Sequence, residues 1–369
     1  MSGSLAVTLF IVSILVVILI HEAAHFGMAK LFKIKVEEFF LGFGPRLWSV
    51  KRGETEYGVK ALPLGGYVRI AGMNPFQEPT PEEYPRTFGA KPAWQRALVI
   101  FAGPATHFVI AFLILVGLLA FVGVPSSSKP VILSVEQSLG GEQSPAASAG
   151  LRAGDQVIGV DGIDHPTEQQ LIAYTKRHVG QAFPVTVLRD ARRLTFTVTP
   201  VIDPRLHKGR IGVGVGRGNV TVAPATAVAK AGVVTGDVSW QVLKRLGQMF
   251  GPQGVRRVFD LLFGGAQRRS TDVTTVVGVG RAVSQAPSIA DVLGILVSVN
   301  IFVGILNLVP LPPFDGGHLA VLAYEKIRRR KVDMRRLVPV TAVVAAFLVL
   351  FMVSVLYLDI VKPIPNVFR

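Results

Sequence analysis

The 369-residue chain has no cysteine and few charged residues, 17% against the ~25% of an average soluble domain. The missing cysteine excludes disulfides, thiolate zinc sites and a cysteine nucleophile. Scarce charge in a chain that is 50% hydrophobic argues against a protein that lives wholly in water. Acidic residues are the scarcer sign, 24 Asp and Glu against 39 Lys and Arg, for a formal net charge of +15. A basic surplus suits nucleic acid when it forms a patch. Here the basic residues crowd beside apolar segments instead, so the expected partner is a lipid bilayer and no nucleic acid.

Four apolar stretches reach the ~20 residues that cross a membrane: Leu5–Phe32, Ala97–Val124, Ile289–Val309 and Leu337–Ile360. A signal peptide is a poor reading of the first. No Lys or Arg precedes it, and it runs into His21 and Glu22 rather than into a cleavage site. Two loops are dense in basic residues, 30–96 (Lys30, Lys33, Lys35, Arg46 and others) and 326–336 (Lys326, Arg328, Arg329, Arg330 and others). Both are expected on the cytoplasmic side of an inner (plasma) membrane, with the N-terminus, the C-terminus and the long 125–288 segment outside. Arg192, Arg193, Arg256 and Arg257 do not oppose this, since long translocated segments escape the charge rule.

Between the spans the pattern changes. Residues 34–72 alternate polar and apolar in four short runs, Ile34–Phe40, Leu47–Lys51, Glu56–Leu62 and Tyr67–Ile70, with glycines at the turns. A small antiparallel sheet is expected, apolar enough to dip into the membrane. Residues 73–92, rich in Pro and Glu, read as a loop. Residues 130–203 read as a compact α/β module, and Val242, Leu246, Met249 and Phe250 place one apolar face on a helix within 236–263. That helix is expected on the membrane surface or against the module. The whole is an α-helical polytopic membrane protein: a first helix over 1–33, a β-region and loop over 34–96, and a second helix over 97–125. The module then spans 126–216, an amphipathic linker 217–288, a broken third helix 289–325, a basic loop 326–336, and the fourth helix with its tail 337–369.

The sharpest chemical signal is His21-Glu22-Ala23-Ala24-His25. Residues four apart share a helix face, so two imidazoles can bind one zinc ion with Glu22 beside it as general base. Sixteen residues, Leu5–Ile20, precede the motif, or roughly 24 Å of helix in a core of roughly 30 Å. Ionisable groups at that depth are costly and mark function. Catalytic zinc takes three protein ligands and keeps a fourth position open. Pro310, Pro312 and Pro313 must unwind the third span, and Asp315 follows them at membrane depth. Asp315 is the expected third ligand, with His107 and His318 as rivals. Asn300 and Asn307, with the strand backbone at Gly65, Gly66 and Tyr67, are expected to hold extended substrate.

These motifs resemble the site-2 protease family of intramembrane zinc metalloproteases. The H-E-x-x-H lies in the first span. The family's Gly-Pro signature is matched by Phe101-Ala-Gly-Pro-Ala-Thr-His107 in the second, and its N-x-x-P-x-P…D-G by Asn307 to Gly316 in the third. Gly42-Phe-Gly44 and the strands after it match the family's β-region, and Ala149-Gly-Leu-Arg-Ala-Gly-Asp155 followed by Val160-Asp161-Gly162 resembles PDZ domains. The resemblance covers most of the chain. It implies Zn2+ at His21, His25 and Asp315, catalytic Glu22, and cleavage of single-pass transmembrane substrates, often anti-sigma factors already trimmed by an upstream site-1-type protease. The PDZ-like domain would then act outside as a size filter or docking site. One residue departs from the family: His107 stands where Asn is usual. Two other readings compete. One is an inactive membrane scaffold whose structural metal is closed by His107. The other is a transporter, which lacks the paired second broken helix it would need.

Overall fold

The computed structural model describes residues 2–364 except 75, 77, 78, 190, 191, 205, 221, 270 and 271, with backbone alone at 64, 124–129 and 217–220. Residues 365–369 of the expected tail, and 75, 77 and 78 of the expected loop, lie outside that set. The chain divides into two compact units, one of residues 1–116 with 229–369 and the other of residues 117–228.

In the first unit, α1 (Gly3–Leu31), α2 (Ala93–Gly117), α8 (Ile289–Asn307) and α10 (Val338–Val361) are the helical parts of four segments long and apolar enough to cross a membrane. α1 is apolar nearly all round, and only one stripe meets protein: Ala6, Phe10, Val17, His21, His25 and Ala29. Steps of four and seven keep a stripe on one side of a helix. The N-terminal half of the stripe packs on α8 and on α7 (Val276–Ser284) through Ala6, Phe10, Val283, Val292 and Leu296. Its C-terminal end packs through Ala29 with Ile34, Val99, Ile100 and Leu322, which ties α1 to α2 and to α9 (Asp315–Arg328).

The β-region after α1 consists of β1 (Val36–Arg52) and β2 (Thr55–Ile70), each long enough to bend and pair twice. Glu38 faces both Arg69 and Glu56, and Phe40 faces both Tyr67 and Gly58, while Trp48 and Val50 face Val59 and Tyr57. The strand order is therefore 66–70, 36–41, 55–60, 46–52. Segment 66–70 is an edge, and among the described residues no strand pairs with its outer side.

One expectation about the linker needs correction. The amphipathic pattern within 236–263 belongs to two helices, α5 (Pro224–Phe250) and α6 (Pro252–Leu262), because Gly251 and Pro252 interrupt it. The apolar face of α5 is covered by two of the apolar helices. Leu246, Val242 and Met249 pack against Ala111 of α2 and Val297 and Ile301 of α8.

The second unit contains a six-stranded antiparallel sheet: Val213–Val220, Val124–Val135, Gln156–Val160, Phe183–Arg189 and Arg192–Val198 lie side by side in that order, and Ile163–Asp164 pairs with Gln156–Val160 off this path. Strand Phe183–Arg189 buries Phe183, Val185 and Val187 and turns the residues between them outward, the period of two expected of a half-buried strand. These side chains meet Leu171 from α4 (Glu168–Arg177), which a Thr167–Gln170 capping box starts.

Candidate metal centre

His21 and His25 continue the packing stripe of α1, so both rings enter protein rather than lipid. Asp315 arrives from the opposite side. α8 stops at Asn307, the prolines keep the following residues out of a helix, and α9 begins at Asp315 itself. The carboxylate thus lies in the first turn of α9, where unpaired amides and the helix dipole favour an anion.

The three donors form a small triangle. His21 Nε2 lies 3.1 Å from His25 Nε2. Asp315 Oδ2 lies 3.4 Å from the first and 3.5 Å from the second. A tetrahedral zinc with ligands at about 2.0–2.1 Å would set such edges near ~3.3 Å, so the donor set and its size fit that ion. Among the described residues no other His, Asp or Glu joins the group. Of the three candidates for third ligand, only Asp315 is in the triangle. His107 Nε2 lies 3.1 Å from His21 Nδ1, the ring nitrogen that faces away from it. His318, one turn further along α9, lines a separate cavity of about 180 Å³ with Arg96 and Glu325. Among the described residues no fourth His, Asp or Glu closes the group, as a structural site would require.

Both imidazoles are oriented from behind. His25 Nδ1 donates to the backbone carbonyl of Val99 at 2.8 Å, leaving the lone pair on Nε2. α2 comes this close because position 103 is glycine. A Cβ there would overlap His25 Nε2 and stand 2.8 Å from His21 Cε1. The Gly103-Pro104 pair was visible in the sequence, yet only the fold shows which rings it admits.

Glu22 is half-buried next to the triangle. The backbone amide of Val68 faces its carboxylate, and a Cβ on Gly66 would stand 2.9 Å from Glu22 Cγ. The unpaired edge 66–70 therefore passes directly beside Glu22. Tyr67 itself is committed to the sheet: its hydroxyl donates to Glu38 at 2.5 Å and its ring stacks on Phe40. Gly65 precedes this edge at the bend of β2. Asn307 ends α8, and among the described residues its amide has no hydrogen-bond partner. Asn300 does not fit the substrate role expected of it. It is 1% exposed, with Nδ2 donating to the Leu296 carbonyl at 2.8 Å and Oδ1 at 3.2 Å from His107 Nδ1.

Comparison with known proteins adds independent weight. The sequence profile described as peptidase family M50 matches residues 9–351. The zinc metalloprotease Rip1 of Mycobacterium tuberculosis is 32% identical over 400 residues, covering 97% of this chain and 98% of its own. The zinc metalloprotease RasP of Shouchella clausii is 28% identical over 432 residues, covering 96% and 98%. Among solved structures, the PDZ domain of the SdrC-like protein of Listeria monocytogenes matches 26% of this chain and 93% of its own, at 23% identity and a TM-score of 0.21. That overlay is too loose to assign a fold.

Proposed function

Because this chain belongs to peptidase family M50, the site-2 protease family of zinc metalloproteases, we propose that it hydrolyses peptide bonds inside the transmembrane segments of single-pass membrane proteins. His21, His25 and Asp315 hold the zinc, and Glu22 is the general base. One observation carries this reading: His21, Glu22 and His25 sit on a helix apolar enough to cross a membrane, Asp315 closes the triangle just past the end of another, and a strand edge that no described strand covers passes beside them.

Zinc, when bound, polarises the scissile carbonyl and acidifies water. The chain's own residues supply the rest. A transmembrane substrate must unwind before its amide can be attacked, and each amide freed in lipid costs several kcal/mol unless it finds a partner. The edge 66–70 offers backbone partners by strand addition, and the free amide of Asn307 offers another. Glu22 takes a proton from the attacking water and delivers it to the leaving amine.

The distribution of Lys and Arg supports a topology with the basic loops in the cytoplasm and with both termini and the α/β module outside an inner (plasma) membrane. There the module acts as a PDZ-like filter or docking site. Substrates resembling anti-sigma factors are cut after an upstream site-1-type protease has trimmed them. The test is to reconstitute the purified chain with a tagged single-pass substrate lacking its outer domain, and to map the products by mass spectrometry. A cut inside the apolar segment is expected, lowered about 10²–10⁴-fold in Glu22→Gln at unchanged zinc content. A cut outside the segment, or an unimpaired Glu22→Gln, would overturn the reading.

A further inference from the structure

The two metal-facing histidines are oriented by different means. His25 leans on a main-chain carbonyl, which no substitution removes. His21 leans on a chain of side chains. Its Nδ1 lies 3.1 Å from His107 Nε2, and His107 Nδ1 lies 3.2 Å from Asn300 Oδ1. Asn300 Nδ2 then donates to the Leu296 carbonyl at 2.8 Å. His21, His107 and Asn300 are 8%, 3% and 1% exposed, so water does not replace any link.

The chemistry of the last link determines all the others. A carbonyl only accepts, so the Asn300 amide must turn its NH₂ to Leu296 and its oxygen to His107. Turning the amide over would set two acceptors against each other at Leu296. Facing an acceptor, His107 Nδ1 must carry the proton, which leaves Nε2 with the lone pair. His21 must therefore donate from Nδ1, and its lone pair lies on Nε2, within the donor triangle.

We propose that His107 and Asn300 are positioning residues that lock His21 in its metal-binding tautomer. This reading makes His107 neither a ligand nor a bystander, and it rests on the assignment of His21 to the zinc site. Unlocked, His21 would divide between two tautomers and rotate away from the triangle. Partners of this kind are worth about 10–100-fold in metal affinity.

The test is competition of the purified full-length chain with a zinc chelator. His107→Phe fills the space without hydrogen bonding, and Asn300→Leu breaks the relay while leaving His107 and all ligands in place. His107→Gln restores it in kind, since the amide oxygen can accept from His21 while the NH₂ donates to Asn300. Zinc affinity is expected to fall about 10–100-fold in His107→Phe and in Asn300→Leu, and to stay within about threefold of wild type in His107→Gln. Unchanged affinity in the first two variants, or equal weakness of Gln and Phe at 107, would overturn the lock. His25→Ala separates the lock from the site beneath it. Loss there, with none in His107→Phe, would overturn the lock alone, whereas a wild type that binds no zinc would overturn both.

Discussion

The two units of the chain place polarity in opposite ways. In residues 117–228 the interior is apolar, with Ile132, Leu171, Phe183, Val185 and Val187 nearly inaccessible, and most charges are exposed. In the other unit the outer faces of α1 expose Leu5, Ile11, Val12 and Val16, while His21, His25, His107 and Asn300 lie buried between helices. The difference follows from the surroundings each surface meets. Water rewards charge on the outside, whereas lipid leaves a polar group nowhere to go except inward, against a partner. The first unit should therefore be most sensitive where its polar centre is touched.

The sharpest way to exploit this contrast adds a single methyl group. Gly103→Ala puts a Cβ into the space of the His25 and His21 rings. Zinc affinity should fall by about 10²-fold or more, beyond an ordinary outer-partner loss, while far-ultraviolet circular dichroism stays unchanged. Wild-type affinity in this variant would mean that α2 yields easily and the centre is not close-packed.

A second test addresses a buried carboxylate in the other unit. Asp155 is 1% exposed, and Arg189 pairs with both its oxygens, at 2.6 and 2.7 Å. Burial alone would raise this carboxyl's pKa, but the Arg189 guanidinium and the Arg152 amide more than reverse it, so the pKa lies below the ordinary Asp value. A depressed pKa contributes stability that is present above about pH 4 and is lost as pH falls through the lower folded value. Hydrogen exchange at strands Gln156–Val160 and Phe183–Arg189 should therefore accelerate, after correction for intrinsic rate, as the protein is acidified below pH ~4. Arg189→Ala should cost the module about 3 kcal/mol at neutral pH and abolish that acid loss, with zinc content unaltered. An acid response identical in wild type and variant would assign it to other carboxylates.

Much of the polar centre was legible in the sequence, for definite reasons. His21 and His25 are four apart in one helix, and the prolines before Asp315 announce a break whatever the tertiary structure. The roles of His107 and Asn300 were not. They are separated by 193 positions, and their contact arises only because α2 packs on α8. Read singly, one resembled a rival ligand and the other a substrate contact. α5 teaches the same lesson, since its periodicity reveals an apolar face but not that Ala111, Val297 and Ile301 cover it. Local spacing shows what a helix offers, and packing decides what accepts it.

The central claim is a zinc held by two imidazoles and one carboxylate with a position left for reaction. X-ray absorption at the zinc edge of the purified full-length chain tests it most directly. The structure predicts one zinc per chain, four-coordinate, with two imidazole nitrogens and two oxygens at about 2.0–2.2 Å. A third imidazole in the coordination sphere would contradict it, turning His107 into a ligand and the open centre into a closed, structural one.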